Sequence, residues 1–262
     1  MKILVFNGSP RMKRGNTEQI VGHFLDGAGE AGADSEVIYI RKLKLSPCNG
    51  CLGCWLRTPG VCTIDDDVNA LREKLLEADI FVFATPVYLF GPSGYTKLLM
   101  ERLLFPLTMP EYVIVGGKVY HPIRYPQKKW KALLIANGAF DGDDVFRPLI
   151  DMYERMVQNV IDGENRNAFI SLGSICVGFG ELFADNVIRS KCSPFFEGLR
   201  RAGREAAGHG HIAKETLELI NRPLYHFAGI SREQAIEKNN EMINEYKSKY
   251  ALLAKIKERP VR

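Results

Sequence analysis

What this chain of 262 residues lacks narrows its function before any motif is read. It has no low-complexity tract and no internal repeat, which excludes fibrous, solenoid and compositionally biased architectures. Its longest apolar run, Ile80 to Phe90, is interrupted by Thr85 and Pro86. That is well short of the roughly 20 residues of a membrane-spanning helix, so no membrane partner is expected. The opening Met1-Lys2-Ile3-Leu4-Val5-Phe6 leads straight into a strand without a cleavage site, and the expectation is a cytoplasmic protein with no secretory signal. A net charge of +4 is too mild to argue for nucleic acid, and the basic end (Lys247, Lys249, Lys255, Lys257, Arg259, Arg262) reads as a solvated helix face. Histidine is scarce, and His121, His209, His211 and His226 share no metal-ligand spacing with carboxylates. Asp65-Asp66-Asp67 resembles a calcium stretch only superficially; acidic residues favour a helix N-terminus, and capping by Asp65 or Asp66 is the expectation.

What is present is an alternation of strands and amphipathic helices. Lys2 to Gly8 is a short apolar run of the kind buried on both faces of a sheet. From Asn16 the apolar spacing turns helical through Ile20, Phe24 and Ala28, with Gly32 as the stop. Further strands are expected at Ser35–Ile40, Ile80–Thr85, Lys131–Ala136 and Phe169–Val177. Helices are expected with Val68, Leu71, Leu75 and Ala78 on one face, over Tyr95–Phe105, and over Arg147–Val160 with Leu149, Met152, Met156 and Val160 inward. This order predicts an α/β fold, a doubly wound five-stranded parallel sheet with helices on both faces. Two segments fall outside that frame. Tyr112 to His121 reads as a β-hairpin turning at Gly116-Gly117, within an insertion over 111–129. From residue 193 the chain is wholly helical, dividing it into a sheet domain over 1–192 and a helical extension over 193–262. The last helix carries Ile236, Ile243, Tyr246, Tyr250 and Leu253 along one stripe, a surface for the sheet domain or for a second subunit.

Gly8-Ser9-Pro10-Arg11-Met12-Lys13-Arg14-Gly15-Asn16-Thr17 joins the first strand to a helix. Such a loop offers backbone N–H groups and the positive helix end to an anion. Ser9, Asn16 and Thr17 add polar donors, and Arg11 adds charge. The loop holds no Gly-Lys-Ser/Thr and no Gly-x-Gly-x-x-Gly, so a single dianionic phosphate, as in FMN, fits better than a triphosphate or a dinucleotide. The competing reading is a polar loop in which Asn16 only caps the helix. Pro86, Val87, Tyr88, Leu89 and Phe90 follow the third strand, and Asn137, Gly138, Ala139 and Phe140 follow the fourth. Both loops emerge at the carboxyl edge, where doubly wound sheets bind ligands. They suit a flat ring, although Tyr88 and Phe90 also serve simply to close the core.

Four of the six cysteines lie in one loop, as Cys48-x2-Cys51-x2-Cys54-x7-Cys62. The rhythm is that of iron–sulfur ligands, and Pro59-Gly60 permits the turn that returns Cys62. Zinc and a disulfide are the alternatives. Cys176 reads as a small core residue, and Cys192 has no evident partner.

Ser9-Pro10-Arg11 running to Gly15-Asn16-Thr17, with Thr85-Pro86-Val87-Tyr88 and Lys97…Glu101-Arg102, resembles the NAD(P)H-dependent FMN reductase branch of the flavodoxin-like superfamily. The cysteine spacing is similar to that of the iron–sulfur flavoproteins within it. The likeness covers roughly residues 1–180. It implies a flavodoxin-like sheet of order 2-1-3-4-5, with FMN at its carboxyl edge. It also implies a [4Fe-4S] cluster on Cys48, Cys51, Cys54 and Cys62 near the flavin of a neighbouring subunit, and a homodimer or homotetramer. The implied activity is an oxidoreductase passing electrons from NAD(P)H or a ferredoxin-like carrier, through FMN, to a small-molecule electron acceptor such as a quinone, oxygen or peroxide. The alternatives are a plain reductase without a cluster and an electron carrier with no turnover of its own.

Overall fold

The computed structural model describes residues 1–257, with side chains described through Tyr250; Leu253 of the expected stripe, and Lys255, Lys257, Arg259 and Arg262 of the basic end, lie outside the described side chains. In chain order the strands are β1 (Lys2–Asn7), β2 (Asp34–Tyr39), β3 (Ile80–Tyr88), β4 (Gly91–Pro92), β5 (Val113–Val115), β6 (Lys118–Pro122), β7 (Trp130–Asn137), β8 (Val160–Ile161) and β9 (Phe169–Val177). The helices are α1 (Asn16–Glu30), α2 (Gly53–Leu56), α3 (Val68–Glu77), α4 (Gly94–Leu104), α5 (Asp143–Gln158), α6 (Asn186–Lys191), α7 (Ser193–His209), α8 (Lys214–Ile220), α9 (Leu224–Ala228) and α10 (Arg232–Lys257).

The five long strands lie in the order β2-β1-β3-β7-β9, every pairing parallel. Counting those five alone, this is the expected 2-1-3-4-5. Alternation along the strands divides the core in two. Ile3 and Val5 face α1 and α7, while Leu4 and Phe6 face the layer built by α3, α4 and α5. The chain's Gly-x-Gly-x-x-Gly string, Gly27 to Gly32, lies at the end of α1 and precedes a strand, so it is no phosphate loop. Gly27 instead lets α1 and α7 touch backbone to backbone: a Cβ there would lie 1.9 Å from Arg200 O. The helices after residue 193 therefore share the core of the sheet.

The structure corrects several expectations. β3 continues past Thr85 to Tyr88 and folds back on β4, so Leu89 and Phe90 form a tight turn with φ of 50° and 63°. α5 starts four residues early, where Gly142 turns the chain and Asp143 and Asp144 favour the positive helix end. Its buried face is Val145, Phe146, Leu149, Tyr153 and Val157; Met152 and Met156 are half-buried, and Val160 belongs to β8. The hairpin β5–β6 turns at Gly116 and Gly117, both at positive φ, and β8 extends it into a small third layer. It roofs a cavity of about 630 Å³ between α4 and α5. Of the acidic triplet, Asp67 sits at the start of α3 without capping it through its side chain. Asp66 accepts from Val68 N (3.2 Å) and is otherwise committed to the cysteine loop.

Candidate functional site

At the carboxyl edge of β1 the loop is wound on itself. Ser9 N donates to Asn7 Oδ1 (2.9 Å), Met12 N to Ser9 O (3.0 Å) and Gly15 N to Met12 O (3.0 Å). Most of its amides are thus used internally, and the groups left for an anion are the first amides of α1, at Asn16 and Thr17, which by helix geometry have no intrahelical acceptor. Gly8 is required by packing, since a Cβ would lie 1.8 Å from Thr96 Oγ1. Ser9 and Thr17 are almost wholly buried. Thr17 Oγ1 donates to Asn137 Oδ1 at 2.5 Å, tying α1 to the end of β7. Asn16 is the first residue of α1, not its cap, and its side chain reaches the cavity described next.

A cavity of about 800 Å³ opens over the β7 and β9 ends. Arg11 and Asn16 line it from the first loop, Ala139 and Phe140 from the loop after β7, and Phe179 and Glu181 from the loop after β9. α10 forms its outer wall with Ile236, Asn239, Ile243, Tyr246 and Tyr250. Arg11, Asn16 and Ala139 are thus brought together, while Asn137 and Gly138 do not line the cavity. Pro86, Val87 and Tyr88 belong to β3 and Leu89 and Phe90 form the turn that follows; none of the five lines this cavity. Leu89 is 97% exposed. A positive φ at two bulky residues is costly, and such strain concentrates at binding sites.

Sequence reasoning stopped at the fourth strand and missed Phe179, Gly180 and Glu181, although the loop after β9 emerges at the same carboxyl edge. A Cβ at Gly180 would lie 2.9 Å from Asn137 Nδ2 and 3.4 Å from Asn16 Nδ2, so glycine lets this loop pack closely against both side chains. Asp141 anchors α10, accepting from Arg232 Nε (2.9 Å) and Tyr225 (2.8 Å).

The cysteine loop lies between β2 and α3. Cys48 and Cys51 are exposed, Cys54 and Cys62 half-buried, and all four are free thiols. Cys51 Sγ lies 3.4 Å from Thr63 Oγ1 and accepts from Gly53 N (3.5 Å), contacts that lower its thiol's pKa. Burial raises that of Cys54, and the neighbouring sulfurs of Cys62, Cys48 and Cys51 add to the rise. Cys62 is held most firmly, with Arg102 Nη2 3.2 Å from its sulfur. Arg102 is buried and forms a two-pronged ion pair with Asp66 at 2.9 and 3.0 Å. Burial alone would raise the Asp66 carboxyl, but Arg102 and the amides of Ser46 and Val68 more than offset it and hold it low. As they stand, no three Cys, His, Asp or Glu side chains among the described residues converge closely enough to hold a metal ion. Among the described residues no helix is long and apolar enough to cross a membrane.

The family model for NADPH-dependent FMN reductase matches residues 1–137, which run from β1 through the Asn137 that Thr17 holds. The chain belongs to that family. The curated relatives match over part of their length. The chain is 39% identical over 102 residues to an iron–sulfur flavoprotein of Methanocaldococcus jannaschii, covering 39% of this chain and 51% of the relative. It is 37% identical over 102 residues to an iron–sulfur flavoprotein of Methanosarcina thermophila, covering 39% and 52%. The chain thus spans about half the length of the curated relatives it matches. Among solved structures it is similar to an NAD(P)H:quinone oxidoreductase from Methanothermobacter marburgensis, with a TM-score of 0.55 at 16% identity over 78% of this chain and 96% of that one. At that identity the likeness shows the fold, which is flavodoxin-like.

Proposed function

We propose that this member of the family is an FMN-dependent oxidoreductase that moves electrons from NAD(P)H or a ferredoxin-like carrier to a small acceptor, with an iron–sulfur cluster in the cysteine loop and as a homo-oligomer. The observation that carries the reading is the single cavity joining Arg11 and Asn16, at the positive end of α1, to Ala139 and Phe140 beyond β7. The residues present fit FMN. Arg11, Asn16 and the first amides of α1 suit a dianionic phosphate through charge-assisted hydrogen bonds and the helix dipole. Ser9 shapes the loop by accepting from Arg11 N (3.3 Å), and Thr17 steadies Asn137. Ala139 and Phe140 line the same cavity as one surface for a flat ring, and the Leu89–Phe90 turn after β3, outside that cavity, is the second surface assigned to it. When bound, FMN accepts a hydride and releases single electrons. The chain's own part is to bind, to orient and to keep water from the ring; no side chain is assigned as a general acid or base.

For the cluster the donor chemistry fits: four free thiols lie on one loop. Metal binding routinely draws such a loop together. Six of the relatives the chain matches bear the name iron–sulfur flavoprotein. The separation of the thiols favours a second reading, a plain NAD(P)H:acceptor reductase whose cysteines hold no cluster.

Anaerobically purified protein decides between them. The expected spectrum has broad absorption near the flavin bands and about four irons per chain, the stoichiometry of a [4Fe-4S] centre. Cys51→Ser should keep the flavin and lose the iron. Wild-type protein that takes up zinc but no iron on reconstitution overturns the cluster and leaves the plain reductase. Asn16→Ala should weaken FMN about tenfold, the effect of one hydrogen bond to a charged group; unchanged affinity overturns the phosphate assignment.

A further inference from the structure

Arg102 stands in the last turn of α4 and is only 2% exposed, yet both terminal nitrogens of its guanidinium reach the cysteine loop. Nη1 donates to Ser46 O and Asp66 Oδ2, and Nη2 donates to Asp66 Oδ1 and to Cys62 Sγ at 3.2 Å. The two terminal nitrogens carry four N–H groups, and they meet three oxygens and one sulfur. The fourth N–H therefore has the Cys62 sulfur as its acceptor. Cys62 is framed at the backbone as well. Its N–H donates to Asn69 Oδ1, and its carbonyl accepts from Asn69 Nδ2, both at 2.9 Å. The opposite end of the loop is built differently. Cys48 and Cys51 are exposed, and the sulfur of Cys51 meets a hydroxyl and an amide of its own loop, Thr63 and Gly53.

We infer that Arg102 acts on the iron–sulfur centre through Cys62, and that its N–H···S bond raises the reduction potential of that centre. One-electron reduction adds one negative charge to such a cluster, shared in part by the ligand sulfurs, and needs no proton. A hydrogen bond to a ligand sulfur favours the added charge, and such bonds are among the levers that set cluster potentials. A donor that is itself ionised makes the stronger kind of bond. Asp66 neutralises Arg102, so the pair brings no net charge to the site. The effect therefore rests on the aimed N–H and not on the field of a bare cation. Arg102 is a positioning residue: it touches no reacting atom, holds the sulfur of Cys62 in place and biases how readily an electron resides on the cluster. The inference rests on the cluster reading above and adds to it a residue outside the four thiols.

The test compares anaerobically reconstituted wild type with the double variant Arg102→Met and Asp66→Asn, which removes both charges together and takes away the N–H donor. Each should load about four irons per chain. Titration with dithionite, followed by the EPR signal of the reduced cluster, should place the variant's midpoint at a more negative potential than the wild type's. A merely structural Arg102 would lower the melting temperature and leave the midpoint where it was. A second measurement needs no change at Arg102. Protein grown on arginine labelled with 15N in the guanidinium, and carrying Arg57→Lys because Arg57 stands near Cys51, should show weak 15N hyperfine coupling to the reduced cluster in pulsed EPR. That coupling sustains the bond even where the double variant fails to fold or load. A loaded double variant with the wild-type midpoint, or labelled protein without the coupling, overturns the inference and leaves the cluster reading standing. Wild type that takes up no iron sinks the cluster reading, and this inference with it.

Discussion

Thr17 Oγ1 donates to Asn137 Oδ1 at 2.5 Å, and both side chains are almost wholly withdrawn from water. Thr17→Ala would leave the Asn137 oxygen buried and unpaired, at a cost of about 1–3 kcal/mol. Chemical denaturation should show that loss, with Thr17→Ser restoring most of it; an unchanged midpoint would mean the bond is immaterial. The phosphate-loop composition marked Thr17 as a ligand group, but only the fold reveals that its hydroxyl is spent on the sheet. Arg102 is a parallel case. It stands in the stretch that carries the family resemblance, yet its partners Asp66 and Cys62 lie thirty-six and forty positions away, beyond any local pattern. Removing one member of a buried pair strands the other's charge, so Arg102→Met should cost about 3–5 kcal/mol. The double variant with Asp66→Asn should lose less than the sum of the two single changes. Strict additivity in that cycle would show that the two groups do not act together.

At the level of elements, the buried parallel strands were legible because both of their faces meet helices and leave nearly unbroken apolar runs. β1, β7 and β9 fall within one or two residues of expectation. α5 was not legible in register: the apolar residues 149, 152, 156 and 160 form a plausible face, but the turn at Gly142 starts the helix earlier and commits Val145, Leu149, Tyr153 and Val157 to the core. The placement of α10 was also hidden, because it depends on Asp141 pairing with Arg232 and Tyr225. Burial alone would raise the Asp141 carboxyl, but hydrogen bonds from Arg232 and Tyr225 more than offset it and hold it below its ordinary value. A carboxyl lowered by folding stabilises fully above its ordinary value of about 3.9, and loses that contribution as pH falls through the lower folded value. The difference in melting temperature between wild type and Asp141→Asn should therefore be constant from about pH 8 to pH 5 and shrink below about pH 4. A gap that closes near neutrality would place the anchor on another group.

Across the whole molecule, the apolar surface is divided unevenly. The helices α7, α8 and α9 complete the core on the α1 face of the sheet, and Ala235 near the start of α10 is buried with them. Beyond that point Met242 still packs against this core, but Ile243, Tyr246 and Tyr250 are 48%, 55% and 69% exposed. Single exposed apolar residues need no explanation, but three on one helix form an apolar stripe of the kind that marks an interaction surface. The same side chains line the cavity, so a second copy docked on this stripe would also cover the site, and twofold pairing is the commonest way for a chain to cover itself. The intact protein is therefore expected to sediment at twice the chain mass or more at micromolar concentration. Tyr246→Glu with Tyr250→Glu places two charges on the stripe and should shift the protein toward monomer; both residues also line the cavity, so the sedimenting mass is the readout and FMN content is measured separately. A wild type that sediments as a monomer removes the shared interface, and with it any electron path between the cysteine loop of one chain and the flavin of another.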